Sequence, residues 1–217
     1  MNSFTEENYL KAIYKLTEES IGNVTTNAIA EAMNTKAASV TDMIKKLSEK
    51  QLVNYAKYQG VTLTHKGEGI AIQIIRKHRL WEFFLVNKLN FKWDEVHDIA
   101  EELEHINSAP LVDRLDEYLG FPKFDPHGDP IPSKNGTLKI PNFFKLSKLE
   151  TGERGTVSGV SDHSAAFLQY LEKQHLGLGI QLKVSEKNDY DNSMIIITEE
   201  RTLFLSKEVA NNILVAK

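Results

Sequence analysis

Histidines and glutamates recur at helical spacing in two stretches of the chain. His78 and Glu82 are four residues apart, and a second stretch offers four such side chains: His97, Glu101, Glu104 and His105. At about 100° per helical residue, these four side chains share one arc of a helix. Apolar side chains occupy the opposite arc: Val96, Ile99, Ala100, Leu103 and Ile106. Such a helix can pack on one face and hold a divalent metal ion on the other, although a solvated acidic face remains the alternative.

The chain contains no cysteine. This excludes disulfides and cysteine nucleophiles, so any metal must be bound by His, Asp, Glu, Asn or backbone oxygen. Imidazole and carboxylate ligands without sulfur suit Mn(II) or Fe(II), and Zn(II), Co(II) or Ni(II) could substitute. Zinc binds most such sites more tightly than manganese, so selectivity has to come from geometry and metal supply.

The N-terminal region predicts a winged helix-turn-helix. A first amphipathic helix spans about residues 5–18, with Thr5 or Ser3 as its cap. Thr26 opens a short helix, and a longer helix runs from about residue 37 to 50. The alternating residues that follow predict a β-hairpin with its turn at Gln59 and Gly60, which is the position of a wing.

The helix over residues 37–50 is the candidate recognition helix. Small side chains at its start can enter the major groove of DNA, and its lysines can contact phosphates. The whole chain has a net charge of −4, but six lysines stand against two acids between residues 36 and 66. An ordinary helical hairpin with solvated lysines is the alternative. The candidate DNA-binding residues are Thr26, Lys36, Ala37, Ala38, Ser39, Thr41, Lys45, Lys46 and Lys57.

Helical patterns continue over residues 70–88, 96–106 and 111–119, followed by a loop at 120–141 that contains five of the six prolines. Short alternating runs around one helical segment then predict a small SH3-like β-barrel. The predicted fold class is therefore mainly α with a small β part. The predicted domains are a winged helix-turn-helix at 1–66, a helical metal-binding and dimerisation domain at 67–141, and an SH3-like domain at 142–217.

No apolar stretch reaches the roughly 18–20 residues that span a bilayer, and the start of the chain lacks the pattern of a signal peptide. We therefore expect a cytoplasmic protein with no membrane partner. No HExxH motif is present, and no general base stands beside an open metal position. A metallohydrolase is thus a weaker alternative to a DNA-binding protein that responds to metal. A metal carrier or buffer is a further alternative, but such a protein would not need the lysine-bearing helix.

Three segments resemble the diphtheria toxin repressor family of iron- and manganese-dependent repressors: TEENYLKAIYKL, IRKHRLWEFFL and VHDIAEELEHINSAPLVDRLDEYLGFP. The similarity covers nearly the whole chain, and the blocks KHRLxExFL and VHDxAxxLEH are specific. The resemblance implies a homodimeric repressor that binds duplex operator DNA in response to metal. It implies neither catalysis nor a small organic substrate, and the regulated genes are expected to be metal uptake genes.

The resemblance also implies two metal sites. An ancillary site is built from His78, Glu82 and His97 with a ligand from the SH3-like domain, for which Asp162 is chosen and His163 is the rival. The primary, regulatory site corresponds to Asn8, Glu101, Glu104 and His105. Iron-responsive members have a cysteine where Glu101 stands, so Glu101 points to manganese.

Asn8 departs from the family pattern, which has methionine or aspartate at this position, and its neutral amide oxygen is a weaker ligand. The loop FDPHGDPIP resembles one that approaches the metals in some relatives, so Asp125 and His127 are secondary candidates. A metal bridging the first helix and residues 101–105 would favour one orientation of the DNA-binding part, and metal availability would thereby set operator occupancy.

Overall fold

The computed structural model describes residues 3–19, 23–56 and 60–217. The chain folds as two compact units. The first contains Met1–His78, Glu101–Asp113 and Pro132–Thr137, and the second contains Arg79–Ala100, Arg114–Ile131 and Leu138–Lys217. The division falls inside one long helix, α4 (His65–Leu89). The predicted boundaries of three domains stay a prediction.

Three helices begin the first unit: α1 (Phe4–Glu19), α2 (Thr26–Ala32) and α3 (Ala37–Glu49). Ser3 caps α1, because its hydroxyl accepts the Glu6 N–H at 3.3 Å while the Glu6 carboxylate accepts the Ser3 N–H at 2.9 Å. Thr25 caps α2 by accepting the N–H of Ala28. The predicted helix-turn-helix is confirmed, with α3 starting at the predicted residue.

The hairpin after α3 consists of β1 (Val53–Ala56) and β2 (Gly60–Leu63), which pair antiparallel. Val24 and Val61 exchange two backbone hydrogen bonds, of 3.2 and 2.8 Å, and so join the hairpin to the segment before α2. The tip of the wing, and Lys57 with it, lies outside the described residues. One apolar core packs these elements together: Leu10, Ile13, Ile29, Val40, Ile44, Leu47, Leu52 and Val61.

Helix α4 begins at His65, five residues before the predicted start at Ile70, because the Thr64 hydroxyl accepts the Gly67 N–H at 3.1 Å and caps it. Helix α5 (His97–Leu103) is shorter than the predicted helix over 96–106. Glu104 and His105 therefore lie in the turn that follows α5. Helix α6 (Ala109–Tyr118) completes the helical part.

The second unit contains a six-stranded antiparallel sheet with the strand order β3-β8-β4-β5-β6-β7. Its strands are β3 (Phe144–Lys145), β4 (Arg154–Val160), β5 (Gln181–Lys187), β6 (Met194–Thr198), β7 (Thr202–Leu205) and β8 (Ile213–Ala216). A 3-10 turn (Leu146–Lys148) and two helices, α7 (Ala165–Lys173) and α8 (Lys207–Asn212), accompany the sheet. Helix α8 was not predicted. Its six residues are too few to show helical periodicity.

The core of this unit lies between the curved sheet and its helices: Leu146, Leu149, Val157, Leu168, Leu171, Val184, Ile196 and Val215. Within the proline-rich segment, Gly128 has φ +89° and packs so closely on Ser158 of β4 that a Cβ atom would overlap the Ser158 carbonyl oxygen. The loop around residue 128 is thereby fixed against the sheet. The predicted fold class is confirmed.

Across the part of the chain that the structure describes, no helix combines the length and the apolarity needed to cross a membrane.

Candidate metal centres and nucleic-acid interface

Glu104 is the centre of a buried polar cluster in the first unit. Lys11 Nζ of α1 donates to both oxygens of the Glu104 carboxylate, at 2.7 and 2.8 Å. His78 Nδ1 of α4 lies 2.7 Å from Glu104 Oε2. Glu101, whose side chain is 47% exposed, completes the contacts with an oxygen 3.3 Å from Lys11 Nζ. We call this set, together with Glu7, Asn8 and His105, the Glu104 cluster.

His105 pairs most closely with α1, although its Nε2 also lies 3.8 Å from Glu104 Oε1. Its Nδ1 lies 2.8 Å from Glu7 Oε2, and its ring stacks on Phe4 with 4.6 Å between the centroids. Glu7 and His105 are both buried. Four segments, namely α1, α4, α5 and the turn after α5, therefore supply the side chains of the Glu104 cluster.

Opposing effects act on the charges in the Glu104 cluster. Burial alone would raise the pKa of Glu104, but His78 and Lys11 hold this pKa below its ordinary value. Burial also lowers the pKa of Lys77, and the nearby Glu7 and Glu104 oppose this effect only in part. Glu104 is thus a buried carboxylate that stays ionised because cationic groups of the protein surround it.

Asn8 is half-buried, and its Oδ1 atom accepts no hydrogen bond from any described residue. A buried acceptor without a donor is uncommon, because desolvation then costs about 1–3 kcal/mol. A cation or a water bound at this oxygen would remove that cost. An amide oxygen can serve as a ligand of a divalent ion, whereas the two oxygens of Glu104 already accept hydrogen bonds from Lys11.

A second cluster, which we call the Glu82 cluster, lies within the second unit and consists of Glu82, Asp125 and His127. All three side chains are buried, and one ligand atom from each lies within 4.8 Å of the others. His127 Nδ1 makes no hydrogen bond among the described residues and lies 3.6 Å from Glu82 Oε2. His97 Nδ1 lies 3.6 Å from the other oxygen, Glu82 Oε1.

The loop at 125–130 is held rigidly around these ligand atoms. Asp125 Oδ1 accepts the backbone N–H groups of His127 at 2.8 Å and Asp129 at 2.9 Å. His127 Nε2 lies 2.8 Å from the Trp93 carbonyl oxygen, which fixes the ring with Nδ1 toward Glu82. Arg79 holds the same loop by donating to Asp129 at 2.8 Å and to the Pro130 carbonyl at 2.6 Å.

The electrostatics of the Glu82 cluster favour bound positive charge. Burial, together with the charges of Asp129 and Glu82, raises the pKa of Asp125 to about 7. Burial would lower the pKa of His127, but Glu82 and Asp125 outweigh it and raise this pKa to about 9. Two buried carboxylates and an imidazole nitrogen without a hydrogen bond form a donor set that suits a divalent metal ion.

Asp162 and His163 follow β4 in the same unit. Asp162 Oδ1 accepts the Ser164 N–H at 2.8 Å, whereas the His163 ring stacks on His127 with 4.8 Å between the centroids. The structure thus places His163 beside a member of the Glu82 cluster and gives Asp162 a bond within its own turn. His78, which was also predicted for the ancillary site, has its Nδ1 atom 2.7 Å from Glu104 Oε2 in the first unit.

The first turn of α3 presents the side chains predicted to read DNA. Lys36, Ala37, Ala38 and Ser39 are all exposed, whereas Thr26 and Thr41 are half-buried. The Thr41 hydroxyl donates to the Ala37 carbonyl at 3.0 Å, which leaves its methyl group as the available recognition surface. A helix start with small exposed side chains can approach the edges of bases closely.

The lysines of α3 differ in their surroundings. Lys45 is exposed and makes only a long contact, 3.5 Å, with Asp42 of its own helix. Lys46 and Lys50 both contact the buried Glu6 carboxylate of α1, at 3.0 and 2.7 Å. Lys45 is therefore the freer of the two predicted phosphate contacts on α3, and Lys46 also stabilises the packing of α1.

Sequence reasoning missed four residues that shape the two clusters: Glu7, Lys11, Lys77 and Arg79. Glu7 and Lys11 are four residues apart and stand next to the apolar positions Leu10 and Ile13. Charged residues so close to a buried stripe signal a paired interior charge, and this pattern could have identified them.

Three family models match consecutive parts of the chain. Residues 2–61 match the N-terminal DNA binding domain of iron dependent repressors, residues 64–133 match their metal binding and dimerisation domain, and residues 144–217 match the FeoA domain.

Known proteins of two kinds are similar to this chain. The transcriptional regulator MntR of Oceanobacillus iheyensis is 36% identical over 55% of this chain and 80% of its own length. The iron-dependent repressor IdeR of Mycobacterium tuberculosis is 36% identical over 59% of this chain, and the matched region spans only 55% of that protein. IdeR of Mycobacterium leprae is 28% identical over 98% of this chain and 97% of its own length.

Solved structures extend the similarity over nearly the full length. A manganese-dependent transcriptional repressor in complex with manganese superposes with a TM-score of 0.88 and 37% identity, covering 98% of this chain and 99% of that one. The repressor ScaR with bound Zn²⁺ gives a TM-score of 0.79 and 32% identity over 98% of this chain and 99% of that one. These relatives are metal-dependent transcriptional repressors, and the chain belongs to their family, that of the iron- and manganese-dependent repressors.

Proposed function

We propose that this chain is a transcriptional repressor whose binding to operator DNA depends on a divalent metal, with Mn(II) as the physiological ion. The Glu82 cluster carries the proposal. It gathers two carboxylates and one imidazole, all buried, within 4.8 Å. Hard oxygen donors with nitrogen and no sulfur are the ligands of Mn(II) and Fe(II), and Zn(II), Co(II) or Ni(II) can bind the same donors.

The proposed ligands of the Glu82 cluster are Glu82, Asp125 and His127, with His97 in reach of the Glu82 carboxylate at 3.6 Å. His163 is a further proposed ligand of the Glu82 cluster, because its ring stacks on the ring of His127. Asp162 and His78 remain proposed ligands on the strength of the family resemblance and the spacing of His78 and Glu82 along α4. A bound ion would supply positive charge that holds these carboxylates and rings in one geometry.

The proposed primary ligands are Asn8, Glu101, Glu104 and His105. They come from α1, α5 and the turn after it, so loading this site would tie α1 to the segment that follows α5. Helix α1 in turn packs on α3 through the Glu6 contacts with Lys46 and Lys50. This chain of contacts connects the proposed ligands to the candidate recognition helix.

For DNA we propose major-groove binding by the start of α3, with Ala37, Ala38, Ser39 and Thr41 near the bases. Lys36, Lys45, Lys46, Lys57 and Thr26 would contact the backbone. The protein would act on chromosomal DNA in the cytoplasm as a homodimer, with no catalytic role. Large apolar side chains that are exposed in residues 64–133, such as Leu89, Phe91 and Phe121, support self-association of the segment that matches the dimerisation model.

The test is retention of duplex DNA as a function of metal. A random-sequence duplex pool is incubated with the protein and increasing Mn(II), Fe(II), Zn(II), Co(II) or Ni(II), and the bound fraction is amplified through several rounds. We expect enrichment of a palindromic sequence with Mn(II) and its loss on chelation with EDTA. Retention that no ion changes would reject metal control, and absence of retention with every ion would reject the repressor function.

A further inference from the structure

We propose that Lys11 is a tethered cation that competes with the divalent ion for the carboxylates of Glu104 and Glu101. Lys11 would thereby set the metal concentration at which the Glu104 cluster is loaded. This inference rests on the proposed function, because it concerns the metal response of the same chain. Lys11 is not itself a metal ligand, since an ammonium group has three donors and no acceptor.

The first argument is that Lys11 already occupies both oxygens of Glu104. Both of its oxygens accept a hydrogen bond from Lys11 Nζ, at 2.7 and 2.8 Å, and Oε2 also lies 2.7 Å from His78 Nδ1. An ion bound to Glu104 needs a lone pair on one of these oxygens. With the ammonium on both oxygens, a divalent ion at ordinary ligand distance would lie roughly 4 Å or less from Lys11 Nζ. An ion on Glu104 would therefore have to share the carboxylate with Lys11 at this short distance, or displace the ammonium.

The second argument is electrostatic. Glu104 is fully buried and the Lys11 side chain is only 8% exposed, so water screens their interaction poorly. The repulsion between two like charges grows as the effective dielectric constant falls, and a divalent ion doubles the repulsion that a single charge would feel from Lys11. Lys11 thus weakens metal binding both by holding the carboxylate and by repelling the ion.

The third argument is the position of Lys11 on the chain. Lys11 stands three residues after Asn8 and four after Glu7, so one turn of α1 carries a proposed ligand, the partner of His105 and the competing cation. The Lys11 contact already ties α1 to the segment after α5. Metal binding would therefore replace the Lys11 contact with a contact through the ion. The metal response is then a competition between the ammonium group and the divalent ion for the same carboxylates.

The experiment measures Mn(II) binding without DNA. Isothermal titration with MnCl₂ compares Lys11→Met, Lys11→Gln and Lys11→Arg with the parent, all in a Glu82→Gln background that disables the Glu82 cluster. We expect Lys11→Met and Lys11→Gln to bind Mn(II) at least about tenfold more tightly, which corresponds to 1.4 kcal/mol. Lys11→Arg keeps the charge and should bind about as weakly as the parent. Lys173→Met, at an exposed position of α7, controls for the loss of one positive charge elsewhere, and the Mn(II) affinity of this variant should not change.

Thermal unfolding with and without Mn(II) is the second measurement. It is needed because removing Lys11 leaves the buried Glu104 without its partner and can destabilise the variants. Lys11→Gln retains amide hydrogens for Glu104, and its thermal midpoint without metal should lie below that of the parent. Its gain in midpoint on adding Mn(II) should exceed the gain of the parent. Unchanged or weaker Mn(II) binding by both neutral variants would overturn the inference, even if the parent still binds DNA with Mn(II). A parent that binds Mn(II) but no DNA would instead reject the proposed function and leave the competition testable.

Discussion

The amide oxygen of Asn8 is a buried acceptor that receives no hydrogen bond from the described residues. Replacing Asn8 with Asp adds a negative charge at that oxygen, and hard divalent ions prefer carboxylate to amide oxygen. We expect Asn8→Asp to lower the Mn(II) concentration for half-maximal DNA retention by about three- to tenfold. The measurement is a gel-shift titration with Mn(II) on the selected duplex.

Asn8→Ala is the matched control, because it removes the oxygen without adding charge. If Asn8 is a ligand, this variant should need more Mn(II) than the parent. Equal Mn(II) responses from the parent, Asn8→Asp and Asn8→Ala would show that Asn8 takes no part in the site. The connection from metal to α1 would then have to run through the contact between Glu7 and His105.

The roles of Asp162 and His163 can be distinguished by one substitution at each residue. The His163 ring stacks on His127, while Asp162 accepts the Ser164 N–H at 2.8 Å. We expect His163→Ala to weaken Mn(II) binding by about tenfold, as loss of a supporting group near a metal typically does. Asp162→Asn retains an acceptor for Ser164 and removes only the charge of a proposed ligand, so it should weaken Mn(II) binding less than His163→Ala does. Calorimetric titration of both variants decides, and a large loss only in Asp162→Asn would restore the choice made from the sequence.

Among the elements, α3 shows how much the sequence determines. Its apolar positions Val40, Ile44 and Leu47 are all fully buried, and periodicity located both its start and its buried face. The same argument failed for α5, which ends at Leu103. Glu104 and His105 consequently leave the helical arc shared with His97, and they turn toward α1 and α4, which a helical wheel cannot show.

The sequence alone could not show that Asp125 and His127 are more important than secondary candidate ligands, because helical periodicity gives no information on their positions. They lie in a proline-rich loop without periodicity, and their approach to Glu82 depends on contacts distant along the chain. Arg79 holds the loop from α4, and Gly128 lets it pack against β4. Only the family resemblance gave a signal for this loop, whereas the structure gives its residues a central place in the Glu82 cluster.

Glu6 connects α1 with α3. Burial alone would raise the pKa of Glu6, but hydrogen bonds from Lys50, Ser3 and Lys46 lower it to about 2 from 4.5. Because the folded pKa is the lower one, this ion-pair network stabilises the fold above pH 4.5 and is lost as the pH falls toward 2. We expect Glu6→Gln to cost about 1–3 kcal/mol at pH 7, since Lys46 and Lys50 are partly screened by solvent.

The check on Glu6 is urea unfolding of the parent and Glu6→Gln at several pH values without metal. The difference in unfolding free energy should be largest at neutral pH and shrink as the pH falls below 4.5. A difference that stays constant down to pH 3 would contradict the assigned pKa shift. Comparing the two proteins at each pH removes the contribution of other carboxylates that titrate in the same range.

Lys45 tests the DNA-binding role of α3 without disturbing its packing, because its only described contact is with Asp42 at 3.5 Å. Lys45→Ala should weaken binding to all duplexes alike and lower the slope of log K against log salt by about one unit. Lys66→Ala, at an exposed position of α4, is the control and should leave the slope unchanged. An unchanged slope for Lys45→Ala would place the phosphate contacts elsewhere.

At the scale of the whole molecule, the described residues of each unit form a cluster whose proposed ligands come from segments far apart in sequence. The Glu104 cluster joins α1, α4 and the turn after α5 in the first unit. The Glu82 cluster joins α4 to the loop at 125–130, which β4 holds through a 3.0 Å hydrogen bond from the Val160 N–H to the His127 carbonyl. Metal can therefore order each unit by its own contacts, and the long helix α4 supplies residues to both clusters.

This arrangement gives a spatial prediction for hydrogen exchange. Saturating Mn(II) should slow amide exchange at residues 125–131 and 157–160 through the Glu82 cluster, and in the second half of α1 through the Glu104 cluster. His127→Ala should abolish protection in the first two segments and retain it in α1, since the Glu104 cluster has its own ligands. Glu104→Gln should show the reverse pattern. If either substitution removed protection from both units together, the clusters would be loaded as a single cooperative site, and the assignment of one independent metal response to each unit would be wrong.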